Sequence, residues 1–157
     1  MTQDLAAQLL QACREKSWSL VTAESCTGGL LAGALTEVPG SSDVFDRGYV
    51  TYSYAAKSAD LGVDPELLAR HGAVSSAVAA AMVDGAVTAT GANLVLAVTG
   101  VAGPGASANK PEGMVWFGVG GTGLDTQTHL QEFGPLGRAE VRLSSVRYAL
   151  RLGLSYA

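Results

Sequence analysis

The run NLVLAVTG, from Asn93 to Gly100, limits the folds open to this chain more than any other segment. It is uncharged, its apolar character is continuous, and turn-forming residues bound it at both ends. A strand of this kind has both faces covered, which is typical of the central strand of an α/β sheet. Ser75 is the expected cap of the preceding segment, which reaches Thr90 and has its apolar residues at helical spacing. We therefore expect a helix that leads into a buried central strand.

Capping residues, apolar periodicity and turn residues predict the other elements, and helices alternate with strands along most of the chain. Thr2 is the expected cap of the first helix, Ser53 that of a short helix, and Asp64 that of a helix beginning at Pro65. This order predicts an α/β chain that forms one three-layer α/β/α domain over residues 1–157, with a mixed, mostly parallel sheet of about five strands. Besides the helix that begins at Pro65, the expected helices cover residues 2–16, 30–36, 54–61, 75–90 and 136–152. The expected strands cover residues 18–23, 44–53, 93–100, 114–119 and 126–133.

Composition and charge exclude several classes of function. The 157 residues carry a net charge of -4 and no basic run, so the electrostatic footprint of a nucleic-acid-binding protein is missing. Cys13 and Cys26 form no disulfide framework, and the start of the chain lacks the basic and apolar regions of a signal peptide. The longest apolar run is too short to span a membrane. We expect a soluble, cytoplasmic protein with no nucleic-acid or membrane partner.

The stretch TAESCTGGLLAG, from Thr22 to Gly33, joins an expected strand to an expected helix through two glycines. Backbone N–H groups at such a helix start can bind a phosphate or carboxylate, with Ser25, Thr27 and Gly28 as contacts. The same position can favour the thiolate of Cys26, which makes this cysteine a candidate nucleophile. A tight turn around a buried thiol is the structural alternative. The residues alone leave these three interpretations open.

Histidine is an unsuitable base in this chain. Its two histidines, His71 and His129, lie far apart and have no cysteine or carboxylate at ligand spacing, so we expect neither a metal site nor a histidine-based triad.

A lysine can accept a proton when desolvation or positive potential lowers its pKa. Lys57 lies about one turn into the helix expected after Ser53, where the helix dipole disfavours a cation. The alternative is a solvated surface lysine.

Ser42 and Tyr52, which both precede Lys57 in the chain, could take part in the same chemistry. The positions from Ser42 to Lys57 span one expected strand that could return the chain to a helix start, although spacing alone does not show that the two meet. Tyr52 ends that strand, and its hydroxyl could relay a proton or orient the lysine. An ordinary role in a strand or the core explains this tyrosine equally well.

Arg138 and Arg142 stand four residues apart in the first turns of the last expected helix. The helix dipole disfavours cations there, so a negative group is expected nearby. Glu132 or Glu140 could supply it, and so could a substrate phosphate held by both arginines. The sequence leaves these alternatives equal.

Two short motifs are interpreted as accidental. GVGGTG, from Gly118 to Gly123, has the spacing of a dinucleotide-binding loop, but a strand follows where that loop requires a helix. Ser107 and Lys110 have the S-x-x-K spacing, but Pro111 follows and the segment is a glycine-flanked loop.

Four stretches of the chain carry a family resemblance: TAESCTGGLLAGALTEVPGSSDVFDRGYVTYSYAAKSADLGV, HGAVS, AVTGVAGPG and KPEGMVWFG. Together they cover nearly the whole chain, and they closely resemble the CinA C-terminal domain family. The resemblance implies a three-layer α/β/α fold. Free-standing members of the family are nicotinamide mononucleotide amidohydrolases, so it also implies hydrolysis of the carboxamide of that substrate to nicotinic acid mononucleotide and ammonia. No metal or organic cofactor is implied, and a homo-oligomer is left open.

The resemblance also implies roles for particular residues. Ser42 of PGSS corresponds to the nucleophile, Lys57 to the base of a Ser/Lys dyad, and Tyr52 to the tyrosine before it. The choice between Ser42 and Ser25 as nucleophile stays open. With the anion-binding interpretation of the glycine turn, the expected substrate-binding residues are Ser25, Thr27, Gly28, Thr99, Gly100, Arg138 and Arg142.

Three departures from the family pattern concern loops. The chain has GPGAS where GPGGG is usual, Glu112 where a small apolar residue is usual, and LGR where GDR is frequent.

Two other functions stay open beside the amidohydrolase. The domain also occurs fused behind a second domain, so this chain could be a non-catalytic nucleotide-binding or regulatory domain. A cysteine hydrolase that uses Cys26 would instead be sensitive to thiol alkylation.

Overall fold

The computed structural model describes all residues from 1 to 157 and consists of six α-helices and five strands. A short 3-10 turn, Ser41–Asp43, precedes the second strand. The helices are α1 (Thr2–Glu15), α2 (Leu30–Thr36), α3 (Tyr54–Leu61), α4 (Pro65–His71), α5 (Ser76–Thr90) and α6 (Arg138–Tyr156), and the strands are β1 (Leu20–Glu24), β2 (Phe45–Val50), β3 (Leu94–Gly100), β4 (Met114–Gly121) and β5 (Leu124–Glu132).

The five strands form one mixed sheet in the order β2-β1-β3-β4-β5. Strand β1 pairs in parallel with β2 and β3, whereas β3 with β4 and β4 with β5 pair antiparallel. Residues 94–98 of β3 are buried on both faces, so the prediction of a covered central strand is confirmed. The GVGGTG motif falls in the hairpin between β4 and β5, where no helix follows it.

Helices cover both faces of the sheet, which confirms the predicted α/β/α layers. On one face α1, α2 and α6 pack on one another, and their apolar side chains form a core around Leu9, Leu96 and Phe117. On the other face α3, α4 and α5 enclose a smaller core around Met82 and Val95. None of the helices is long and apolar enough to cross a membrane.

Most predicted helix caps are confirmed. The side chains of Ser53, Asp64 and Ser75 accept hydrogen bonds from backbone N–H groups in the first turns of α3, α4 and α5. The prediction for Thr2 is wrong, because the helix already includes Thr2 and Met1 takes the cap position without a side-chain bond. The Thr2 hydroxyl instead accepts a hydrogen bond from Arg147 at 3.2 Å.

The parallel arrangement of β1, β2 and β3 decides where the functional residues meet. Their carboxyl ends lie at the same edge of the sheet, with Glu24 in register with Val50 on one side and Val98 on the other. Crevices at this edge are where open α/β sheets bind their ligands. The turn Ser41–Asp43 precedes β2 and so lies at the opposite edge.

Candidate active site

A cavity of about 750 Å³ opens at the carboxyl edge of β1, β2 and β3. The ends of β1 and β3, the start of α6, and the loop between β3 and β4 all contribute to its wall. Of the candidate site residues from the sequence, those that line this cavity are Ser25, Cys26, Tyr52, Thr99, Gly100 and Arg138.

Lys57 and Ser25 form the central contact of this site. The Nζ atom of Lys57 lies 2.8 Å from the Oγ atom of Ser25, and the lysine side chain is completely buried. The same nitrogen donates to the carbonyl oxygens of Thr51 at 2.7 Å and Tyr52 at 3.3 Å. Helix α3, capped by Ser53, carries Lys57 back beneath the end of β1, where the chain turns at Ser25.

Burial lowers the pKa of Lys57 from 10.5 to about 8, and the electrostatic effect of the nearby Cys26 opposes this shift. No carboxylate forms an ion pair with the lysine. A neutral amine has two N–H groups and one lone pair. When Lys57 is neutral, the Thr51 and Tyr52 carbonyls can accept both N–H groups, and the lone pair is left to accept the Ser25 O–H.

Ser42 does not meet Lys57, so the predicted Ser42–Lys57 pair requires correction. Ser42 is exposed in the turn before β2, and its neighbour Asp43 pairs with Arg14 at 2.8 Å. Strand β2 is six residues long and leads the chain away from this turn to the other edge of the sheet. A strand of that length separates its two ends by roughly 17–20 Å. The residue that lies against the lysine is Ser25.

Tyr52 contacts Lys57 and Arg138 in different ways. Its backbone carbonyl accepts a hydrogen bond from Lys57, whereas its hydroxyl accepts one from Nη2 of Arg138 at 2.7 Å. The side chain is 58% exposed on the cavity wall. Arg138 also donates from Nη1 to the carbonyl of Gly103 at 2.7 Å. Tyr52 therefore orients the lysine through its backbone, while its phenol belongs to the rim of the cavity.

Arg142 lies behind the cavity wall and does not line it, contrary to its predicted role as a substrate contact. Its Nε donates to the carbonyl of Cys26 at 3.1 Å, and its Nη2 donates to that of Thr27 at 3.2 Å. Gly28 has a positive φ of +57°, and a Cβ there would lie 3.1 Å from the guanidinium. Thr27, Gly28 and Arg142 thus support the turn after Ser25, and none of them lines the cavity.

Cys26 is unsuited to act as a nucleophile in this structure. Its side chain is 5% exposed within the apolar core, and burial raises the pKa of the thiol to about 12. No other residue accepts a hydrogen bond from the backbone N–H of Cys26. Cys26 directly follows Ser25 and contributes to the wall of the cavity.

Comparisons with known proteins show which sequences and folds this chain resembles. The profile of the CinA C-terminal domain matches residues 2–156. The chain belongs to the CinA C-terminal domain family. A relative from Enterobacter agglomerans, named nicotinamide-nucleotide amidohydrolase PncC, is 45% identical over 152 residues, which are 96% of this chain and 92% of the relative.

Other CinA relatives are longer or are known from crystals. A CinA-like protein from Syntrophobacter fumaroxidans is 53% identical over 65% of this chain, and this match spans only 24% of that protein. The crystal structure of a competence/damage-inducible protein from Agrobacterium tumefaciens superposes with a TM-score of 0.94 at 44% identity, covering 98% of this chain and 94% of that one. The predicted family and fold are confirmed.

Sequence reasoning missed Glu24, the last residue of β1 in this CinA-type domain. Its carboxylate is fully buried. The Oε1 atom accepts hydrogen bonds from the Thr27 hydroxyl at 2.6 Å and from the N–H groups of Gly29 and Leu31, and Oε2 accepts one from Ala32 at 3.0 Å. The carboxylate therefore caps the start of α2 and fixes the turn that carries Ser25. A charged residue at the end of a buried strand was the available signal.

Sequence reasoning also missed most of the basic wall of the cavity, of which it had proposed only Arg138 as a substrate contact. Lys110 donates from Nζ to the carbonyl of His71 at 3.0 Å and to that of Val74. Ser107 and Lys110 pair only through their backbones, so the S-x-x-K spacing creates no serine–lysine dyad. No group of three or more His, Cys, Asp or Glu side chains is placed to hold a metal ion. The basic side chains that line this wall and the rim are Arg70, His71, Lys110 and Arg138.

Proposed function

We propose that this chain hydrolyses the carboxamide of nicotinamide mononucleotide to nicotinic acid mononucleotide and ammonia, with Ser25 as nucleophile and Lys57 as general base. The observation that carries the proposal is the 2.8 Å contact between the buried Lys57 amine and the Ser25 hydroxyl at a cavity. The name and the 45% identity of the Enterobacter agglomerans relative support the substrate and the reaction.

In the first step, neutral Lys57 accepts the proton of the Ser25 hydroxyl while the serine oxygen attacks the carboxamide carbon. The carbonyl π electrons move onto the oxygen, which becomes the oxyanion of a tetrahedral intermediate. The backbone N–H of Cys26 is the donor we assign to this oxyanion, because it follows the nucleophile and donates to no other residue. One such donor stabilises a transition state by a few kcal/mol.

In the second step, the Lys57 ammonium returns its proton to the leaving nitrogen. The carbon–nitrogen bond breaks, ammonia departs, and the acyl group remains on Ser25 as an ester. Lys57 is neutral again and takes a proton from a water molecule that attacks the ester. Breakdown of the second intermediate returns the proton to Ser25 and releases the carboxylic acid product.

The basic wall of the cavity supports an anionic substrate. Arg70, His71, Lys110 and Arg138 line the cavity, and arginine and lysine are the side chains that commonly bind phosphate. Lys110 is oriented by two backbone carbonyls, so part of its charge remains available to a ligand. The phosphate of the substrate would bind here, away from the reacting carboxamide.

The direct test is incubation of the purified chain with nicotinamide mononucleotide. We expect ammonia and nicotinic acid mononucleotide to form in equal amounts, and quenched reactions to contain an acyl adduct that mass spectrometry places on Ser25. Binding of the nucleotide without turnover would instead support the non-catalytic domain. The buried Ser25–Lys57 contact favours the enzyme, because a binding domain has no need for an unpaired buried lysine.

Three further expectations from the sequence stay proposals. They are a single domain over residues 1–157, a cytoplasmic location and a homo-oligomer. Light scattering on the purified chain would measure the oligomeric state, and fractionation of the cells that produce it would locate the protein.

A further inference from the structure

Glu112 joins two parts of the cavity rim that are distant in the chain. Its Oε1 atom accepts a hydrogen bond from the N–H of Gly105 at 2.7 Å, and its Oε2 atom accepts one from the N–H of Gly137 at 2.9 Å. Gly103 leaves room for this side chain, because it has a φ of +94° and a Cβ there would lie 2.6 Å from the Glu112 carboxyl carbon. A single carboxylate thus bridges the loop after β3 and the residue before α6.

Both ends of this bridge adjoin the contacts of Arg138. Gly137 directly precedes Arg138, and the carbonyl of Gly103 accepts a hydrogen bond from its guanidinium at 2.7 Å. The other side of that guanidinium donates to the Tyr52 hydroxyl at 2.7 Å. A shift of the loop relative to α6 would therefore move the acceptor away from the arginine and release the tyrosine.

The bridge depends on an ionised carboxylate. The two backbone N–H groups hold the pKa of Glu112 below its usual range, and no lysine or arginine pairs with it. Each oxygen of a carboxylate can accept, whereas a glutamine offers one acceptor and presents its NH₂ group to the second N–H. The small apolar residue expected at this position from the family resemblance could accept neither bond.

We propose that Glu112 is a positioning residue for substrate binding in this chain. Its carboxylate holds the turn of residues 103–105 against the start of α6, so that Arg138 and Tyr52 are already joined at the rim when the substrate enters. The proposal rests on the proposed function for the identity of the substrate. It concerns how the rim is organised and does not involve the transfer of protons at Ser25.

The test compares Glu112→Gln with the matched control Glu132→Gln. Glu132 is exposed on β5, and its carboxylate makes no hydrogen bond or ion pair. For Glu112→Gln we expect the KM for nicotinamide mononucleotide to rise about fivefold or more, while kcat stays within about twofold of the parent value. Glu132→Gln should change neither constant.

A second measurement does not depend on turnover. In Glu112→Gln, hydrogen exchange at the amides of Gly105 and Gly137 should become faster, and calorimetry should show weaker binding of nicotinic acid mononucleotide by the same factor as KM. An unchanged KM overturns the proposal, even with faster exchange, and so does a lower kcat at constant KM. If the parent chain released no ammonia, the proposed function would fail, whereas exchange and binding would still decide the role of Glu112.

Discussion

The Lys57 amine and the Ser25 hydroxyl meet at 2.8 Å, although 32 positions of the chain separate them. Strands β1 and β2 are parallel neighbours, and Glu24 is in register with Val50, so the residues that follow the two strands emerge side by side. Helix α3 then turns back and places its lysine under the serine. Sheet topology, not proximity in sequence, creates this pair.

Replacing Ser25 should separate its role from that of Ser42. We expect Ser25→Ala to lower kcat by at least about a thousandfold, because it removes the attacking oxygen. Ser42→Ala should keep kcat within about twofold of the parent, since Ser42 is exposed at the opposite edge of the sheet. Ammonia release measured at saturating substrate checks both variants. A comparable loss in the two, with both still folded by circular dichroism, would contradict the assignment.

The rate should depend on pH through Lys57. Only the neutral amine can accept a proton from Ser25, and burial lowers the pKa of Lys57 to about 8. We therefore expect kcat/KM to rise as pH increases toward 8 and to level off above it. The measurement is a pH profile of initial rates on enzyme shown to be stable across the range. A flat profile below pH 8, or a midpoint at the ordinary value of 10.5, would argue against a neutral lysine base.

The two buried cysteines should be inert in the folded protein. Burial raises the pKa of Cys26 to about 12 and that of Cys13 to about 11, so neither is a thiolate at neutral pH. Iodoacetamide should leave activity unchanged, and both thiols should react only after unfolding in guanidinium. Cys26→Ala should retain activity within about threefold. Rapid inactivation by the reagent, protected by substrate, would revive the cysteine hydrolase.

Arg142 should influence the chemical step without contacting the substrate. Its guanidinium holds the carbonyls of Cys26 and Thr27, and a lysine cannot span both. We expect Arg142→Lys to lower kcat by about tenfold while KM changes less than about twofold, because the turn that carries Ser25 becomes less ordered. The exposed Arg151, in the last turns of α6, supplies the control variant Arg151→Lys. A rise in KM alone would indicate that Arg142 binds substrate after all.

Local signals in the sequence predicted most of the fold. The apolar run of β3 required a covered central strand, and Ser53, Asp64 and Ser75 marked helix starts because their side chains accept from nearby backbone N–H groups. Lys57 could also be singled out, since a lysine near a helix start is unfavourable without a purpose. These features depend on neighbours within a few residues.

The partner of Lys57 could not be obtained in the same way. Ser42 is 15 positions away from the lysine and Ser25 is 32 away, and only the pairing of β1 with β2 decides which of them meets it. Glu24 was missed for a related reason. Its four hydrogen bonds exist only once α2 folds back over the end of β1, so its position after a buried strand was the one signal that the sequence offered.

The burial of Lys57 also bears on how this protein would change under selection for heat resistance. Its pKa is about 8 in the folded chain and returns toward 10.5 on unfolding, so at neutral pH the unfolded state holds the charge more favourably. This difference destabilises the folded state at neutral pH and disappears as pH rises from 8 to 10.5. An apolar replacement that fills the same space would remove it. A library of variants screened for melting temperature alone should therefore become enriched in apolar residues at position 57. Its members would gain thermal stability and lose the general base.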